Sequence, residues 1–145
     1  MIIDKKSDKL ILHFHPLALE VLKVSLLNFS ASTIKSRTLS TSEYEEKDTD
    51  QELLNAEYEE WNAELHNKVR EWLPEISKNK WTINQEEAET FLRILNFTRL
   101  MVVENGGLEK RELETGIADA SKLRALSEYH FLTVVQQGVM EAIQE

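Results

Sequence analysis

The sequence predicts a mainly α protein, a bundle of about four helices with a small N-terminal β-hairpin or short sheet. Three observations carry this expectation. Only 4 Gly and 2 Pro occur in 145 residues, too few turn-formers for a sandwich or barrel. Several stretches space their apolar residues by threes and fours, as a helix with one buried face requires. One stretch near the start alternates with period two instead, as a half-buried strand does. Hydrophobic residues make up 41% of the chain, enough for one core, and the length suits a single domain over 1–145.

Residues 1–14 read as the hairpin. Ile2 and Ile3 precede a turn-like Asp4-Lys5-Lys6-Ser7-Asp8, and Leu10, Leu12 and Phe14 then alternate with Ile11 and His13. Two short strands need a further surface to lean on. Pro16 opens the first helix, over 16–30, because a first turn has no use for the missing N–H. Leu17, Leu19, Val21, Leu22, Val24, Leu26, Leu27 and Phe29 lie on nearly every side of it. A helix apolar all round belongs in the centre of a core. Ser and Thr dominate the next stretch and acidic residues follow, so a mobile connection is expected over 31–50.

The helical remainder covers 51–145. Leu54, Tyr58, Trp61, Leu65, Val69 and Trp72 form one stripe, with Glu52, Glu59, Glu60 and Glu64 mainly off it. Pro74 is expected to end that helix. Trp81-Thr82-Ile83 is a short extended piece. Asn84 with Glu87 reads as a capping box opening a third helix to about Asn105. Its buried side is expected to use Ala88, Phe91, Leu92, Leu95, Val102 and Val103, and Gly106-Gly107 supplies a left-handed stop. A mixed stretch, Leu108 to Leu126, reads as a loop with a short helix. The last helix is expected from Ser127 to Ile143, burying Phe131, Leu132, Val135, Val139 and Ile143.

Charge and composition narrow the function classes. The net charge is −9, and Glu43–Glu64 alone holds ten acidic residues against one basic residue, Lys47. The rest of the chain sums to zero, and no Lys/Arg cluster could neutralise phosphates, so direct nucleic-acid binding is not expected. The chain has no cysteine, which excludes disulfides, thiolate metal sites and thiol switches. No run reaches the roughly 18 apolar residues of a membrane helix. The first residues carry no signal-peptide pattern, which makes the cytoplasm the expected compartment.

No P-loop, G-x-G-x-x-G, G-x-S-x-G or H-E-x-x-H occurs, so neither an enzyme nor a cofactor is expected. His13 and His15 are two apart, while His66 and His130 stand alone, which is poor metal spacing. Carboxylate pairs such as Glu59 with Glu60 and Glu86 with Glu87 suit helix starts and solvent faces. The most informative polar pair is Asn96 with Arg99, three apart on the third helix and on one side of it. A partly buried guanidinium needs partners. It either grips an anion or ties this helix to the last one through Tyr129, His130 or Gln136.

Leu95, Asn96, Arg99 and Leu100 form a Leu/Val-Asn-x-x-Arg-Leu stretch, and Tyr129, Leu132, Thr133 and Gln136 a Tyr-x-x-Leu-Thr-x-x-Gln stretch. With the hairpin-to-helix run KLILHFHPLALEVLKVSLL, these resemble the AosR-like family, bacterial domains of unknown function with one characterised oxidative stress regulator. The resemblance spans most of the chain and is weakest in the middle connection and second helix. It implies a mostly helical fold with a small β element and a regulatory role through protein binding. The leading expectation is therefore a regulatory or adaptor protein, monomer or homodimer. It would meet a protein partner through an acidic surface that includes Glu52, Glu59, Glu60 and Glu64. The alternative is a small-molecule or anion-binding helical module using a pocket near Asn96 and Arg99.

Overall fold

The computed structural model describes residues 1–31, 63–76 and 80–144. The N-terminal hairpin pairs β1 (Ile2–Lys6) with β2 (Lys9–His13), antiparallel, with Ile3 opposite Leu12 and Lys5 opposite Leu10. The strands pair right up to Ser7 and Asp8, so the turn is shorter than the expected Asp4–Asp8, with Ser7 taking a positive φ of 57°. Period-two alternation sets one face inward. Leu10, Leu12 and the following Phe14 are buried, while Lys9 and Lys6 stay in solvent.

The extended piece proves to be a third strand. β3 (Lys80–Asn84) pairs antiparallel with β2, Leu10 opposite Ile83 and Leu12 opposite Trp81, giving a sheet of order β1-β2-β3. Four apolar side chains from two strands thus share the inner face, which is the support the hairpin lacks alone.

α1 (Pro16–Ala31) follows β2. His15 caps its start: the ring Nδ1 accepts from the Leu17 N–H at 3.2 Å and the His15 carbonyl from the Leu19 N–H at 2.9 Å. Leu19, Leu22, Leu26 and Phe29 face the core, while Leu17 (73% exposed), Val21 (41%), Val24 (45%) and Leu27 (50%) do not. The expectation of a helix surrounded on all sides is corrected. α1 packs sideways onto α3 and α5, and its second apolar stripe is left outside.

The connection expected over 31–50 lies, beyond Ala31, outside the described residues, as do Leu54, Tyr58 and Trp61. The described part of α2 is helical over 63–76 and buries Leu65, Val69, Trp72 and Ile76. Pro74 therefore does not end the helix. Close to the helix end its missing N–H forfeits one backbone hydrogen bond, about 1 kcal/mol. Burying Ile76, four residues beyond Trp72 on the same face, returns about 1.5–3 kcal/mol.

α3 (Gln85–Gly106) begins with the expected capping box, Glu87 N–H to Asn84 Oδ1 at 2.7 Å and Asn84 N–H to Glu87 Oε1 at 3.1 Å. It stops at Gly107, whose φ of 62° is left-handed. Its buried face is Ala88, Phe91, Ile94, Leu95, Thr98, Met101 and Val102, with Leu92 and Val103 half-buried at the flanks. After it come α4 (Lys110–Thr115), a short 3-10 turn (Ala120–Lys122) and α5 (Leu123–Gln144). α5 thus starts one turn before the expected Ser127 and buries Leu126 as well as Leu132, Val135 and Val139.

The core lies where the sheet's inner face meets α2, α3 and α5. Trp72, Trp81 and Phe91 meet edge to face there, with centroids 5.1–6.4 Å apart. Such pairs add about 0.5–1.5 kcal/mol each beyond area burial. They tie α2, β3 and α3 together.

Candidate functional site

α5 has two long helical neighbours, and the two contacts differ in kind. On the α3 side the contact is closed. A Cβ added to Gly106 would stand 2.5 Å from the Ala125 Cβ, so the helices approach as closely as glycine permits. The buried Thr98 hydroxyl donates to the Ile94 carbonyl at 2.7 Å and leaves no polar debt.

Arg99 crosses this contact. Its Nη1 donates to Gln136 Oε1 and its Nη2 to the Tyr129 hydroxyl at 2.8 Å. The guanidinium carbon lies 4.8 Å from the Tyr129 ring centroid, within cation–π range. Its Nε is buried without a hydrogen-bond partner. Arg99, Tyr129 and Gln136 are thus brought together, whereas Asn96 is exposed and His130 points to solvent. Tyr129, Leu132, Thr133 and Gln136 lie along one side of α5, and of these Tyr129 and Gln136 reach the arginine. Both acceptors are neutral. An anion would have to displace them, so the cluster is built as a tie between α3 and α5.

On the α1 side the contact stands open. A groove of about 580 Å³ runs between α1 and α5, with Val21, Val24 and Phe131 on its apolar floor. One interhelical hydrogen bond spans it, Ser25 Oγ to Glu128 Oε1 at 2.6 Å, with Ser25 fully buried. Asn28, Arg124 and Glu128 line both this groove and a second recess of about 480 Å³ beside Asn105. Glu20 and Phe131 line only the first. Arg124 therefore marks one end of the groove and Glu20 the other. The sequence contained the signal, an excess of apolar residues on α1. By itself that excess suggests central burial, because nothing local says how many neighbours a helix has.

Of the expected acidic surface, Glu52, Glu59 and Glu60 lie outside the described residues and Glu64 is exposed. His13 pairs with Asp4 at 3.1 Å across the hairpin, and His15 is occupied as a helix cap. Among the described residues no three His, Asp or Glu gather where a metal ion could be held. No described helix is long and apolar enough to cross a membrane.

Among the described residues two ionisable groups are shifted. Burial, with the Arg70 charge adding, holds the His66 pKa below its usual value. Its Nε2 is buried with no partner, and the ring meets Phe29 edge-on at 4.6 Å. The Glu112 carboxyl is held low by the Glu109 N–H at 2.9 Å and by Lys122 at 3.1 Å. The Glu109 N–H bond belongs to the capping box of α4 and Lys122 comes from the 3-10 turn before α5, so Glu112 ties these two segments together. No family model, curated protein or solved structure matches the chain.

Proposed function

We propose that this protein is a non-enzymatic adaptor or regulator that works by protein–protein contact in the cytoplasm. The observation that carries the reading is the apolar stripe of α1, Leu17, Val21, Val24 and Leu27, left outside the core beside an open groove. Exposed apolar side chains scattered singly are ordinary, but a contiguous set along one helix marks a contact surface. The mixed charge of the groove rim suits a protein better than a membrane, whose anionic lipids call for a basic rim. The AosR-like resemblance points the same way, towards a regulator. A surface that includes Glu52, Glu59, Glu60 and Glu64 would add electrostatic steering towards basic partners.

The anion-binding alternative finds less support. Asn96 does not share Arg99's contacts, and Gln136 and Tyr129 already occupy the guanidinium.

A photo-crosslinking residue placed at Val24 tests the reading in intact host cells. A discrete protein adduct, absent when the same group replaces the exposed Glu75, is expected. Equal, diffuse labelling from both positions would remove α1 as a contact surface and the proposal with it.

A further inference from the structure

We infer that the occupant of the α1–α5 groove is a second copy of this chain, docked about a two-fold axis. The inference rests on the contact role proposed for α1 and names the partner. Three features of the groove converge on it.

The first is the spacing of the exposed stripe. Leu17, Val21, Val24 and Asn28 are separated by four, three and four residues, which places them in one seam along α1. A polar Asn at a seam position sets the register of a helix pair at a cost in stability. Crossing α1 antiparallel with its copy about the midpoint between Val21 and Val24 sets Val21 against Val24 of the second copy. Leu17 then meets the Asn28 end. Phe131 supplies the floor from α5, and Val134, one turn further on, is 62% exposed.

The second feature is charge. Arg124 lies at the Asn28 end of the groove and Glu20 at the other. Glu20 and Asn28 are eight residues apart on one helix, about 12 Å along its axis. A two-fold axis through the groove centre exchanges its ends, so Arg124 of each copy faces Glu20 of the other. The interface is then self-complementary, as an isologous contact must be. Arg124 makes no ion pair with any described residue. Glu20, itself exposed, pairs among the described residues with the half-buried Lys23 three residues on, at 3.7 Å, a pairing weak enough to exchange.

The third is the polar chemistry of the groove wall. Glu128 is fixed by Ser25 and faces the same space as Arg124. With a carboxylate beside its one cation the groove wall is not uniformly basic, which disfavours an anionic lipid surface and suits a protein surface that itself carries both charges.

Sedimentation velocity of the purified full chain over a concentration series tests the inference, with circular dichroism checking that each variant keeps its helix content. Wild type is expected to dimerise and Val24→Asp to remain monomeric at every concentration. Arg124→Glu and Glu20→Arg alone should each weaken the dimer about tenfold. The double variant Glu20→Arg/Arg124→Glu should recover most of the loss, because reversed ends still meet as opposites.

A wild type monomeric throughout overturns the inference, as does a dimer indifferent to Val24→Asp or a double variant weaker than either single one. The contact role survives the first result if Val24 crosslinks a different protein in cells, and it fails with the inference if Val24 crosslinks none.

Discussion

The two sides of α5 show what a finished contact and an unfinished one look like in the same helix. Towards α3, glycine allows the closest approach, a hydroxyl is satisfied within its own turn, and a guanidinium is clamped by two side chains of the opposite helix. Towards α1 there is one interhelical hydrogen bond, a groove and an apolar floor. Polar residues at the closed contact have internal partners, so their chemistry is spent on the fold. Apolar residues at the open contact, Val21 and Val24, stay more than two-fifths exposed. The difference explains why the residue that looked most functional in the sequence, Arg99, serves cohesion. The helix that looked most structural, α1, carries the exposed stripe on which the proposed contact rests.

Substitutions test this contrast. The largest effect is expected from Leu132→Ala, which empties a fully buried position between Tyr129 and Gln136 on α5. It should cost about 2–5 kcal/mol in urea unfolding, and a loss under about 1 kcal/mol would mean the α3 contact is looser than described. Gly106→Ala should cost about 1–3 kcal/mol, because the new Cβ meets the Ala125 Cβ and the helices must part. Wild-type stability in that variant would show that the close approach is dispensable.

Arg99→Ala is expected to lose about 1–2 kcal/mol, since it strips two hydrogen bonds from half-buried acceptors. Asn96→Ala should stay within about 0.5 kcal/mol of wild type. Equal losses at the two positions would return Asn96 to the cluster.

Acidity probes the neighbouring α1–α2 contact, where His66 meets Phe29. Because the folded-state pKa of His66 lies below 6.5, the unfolded chain takes up its proton first as pH falls. The contribution to stability is complete above pH 6.5 and declines below it, down to the lowered folded value. Thermal melts between about pH 7.5 and 5.5 should show this decline, and His66→Phe should flatten it. A slope unchanged in that variant would assign the pH response to other groups.

How much was legible followed the range of the interactions. The capping box of Asn84 and Glu87 and the left-handed stop at Gly107 were readable because every atom involved lies within one turn. Leu65, Val69 and Trp72, or Leu132, Val135 and Val139, were readable because a buried stripe repeats with the helix itself. Pro74 was misjudged because its local penalty competes with the burial of Ile76, which depends on distant side chains. Thr98 was overlooked for Asn96 because both are polar, and only the position of α5 decides which one faces inward.

For the candidate site the division is sharper. Sequence alone determined that Arg99, if half-buried, must find partners, and it named Tyr129 and Gln136 among them, because charge on a core-flanking helix face demands an acceptor. It also determined the surplus of apolar residues on α1 and the three-and-four spacing of its helices, since both are properties of single segments. The pairing of β3 onto β2, the choice of α1's outward stripe and the opposite placement of Arg124 and Glu20 were decided by tertiary structure alone. Each depends on which segments become neighbours, and that is set by the burial of the whole core rather than by any one stretch of chain.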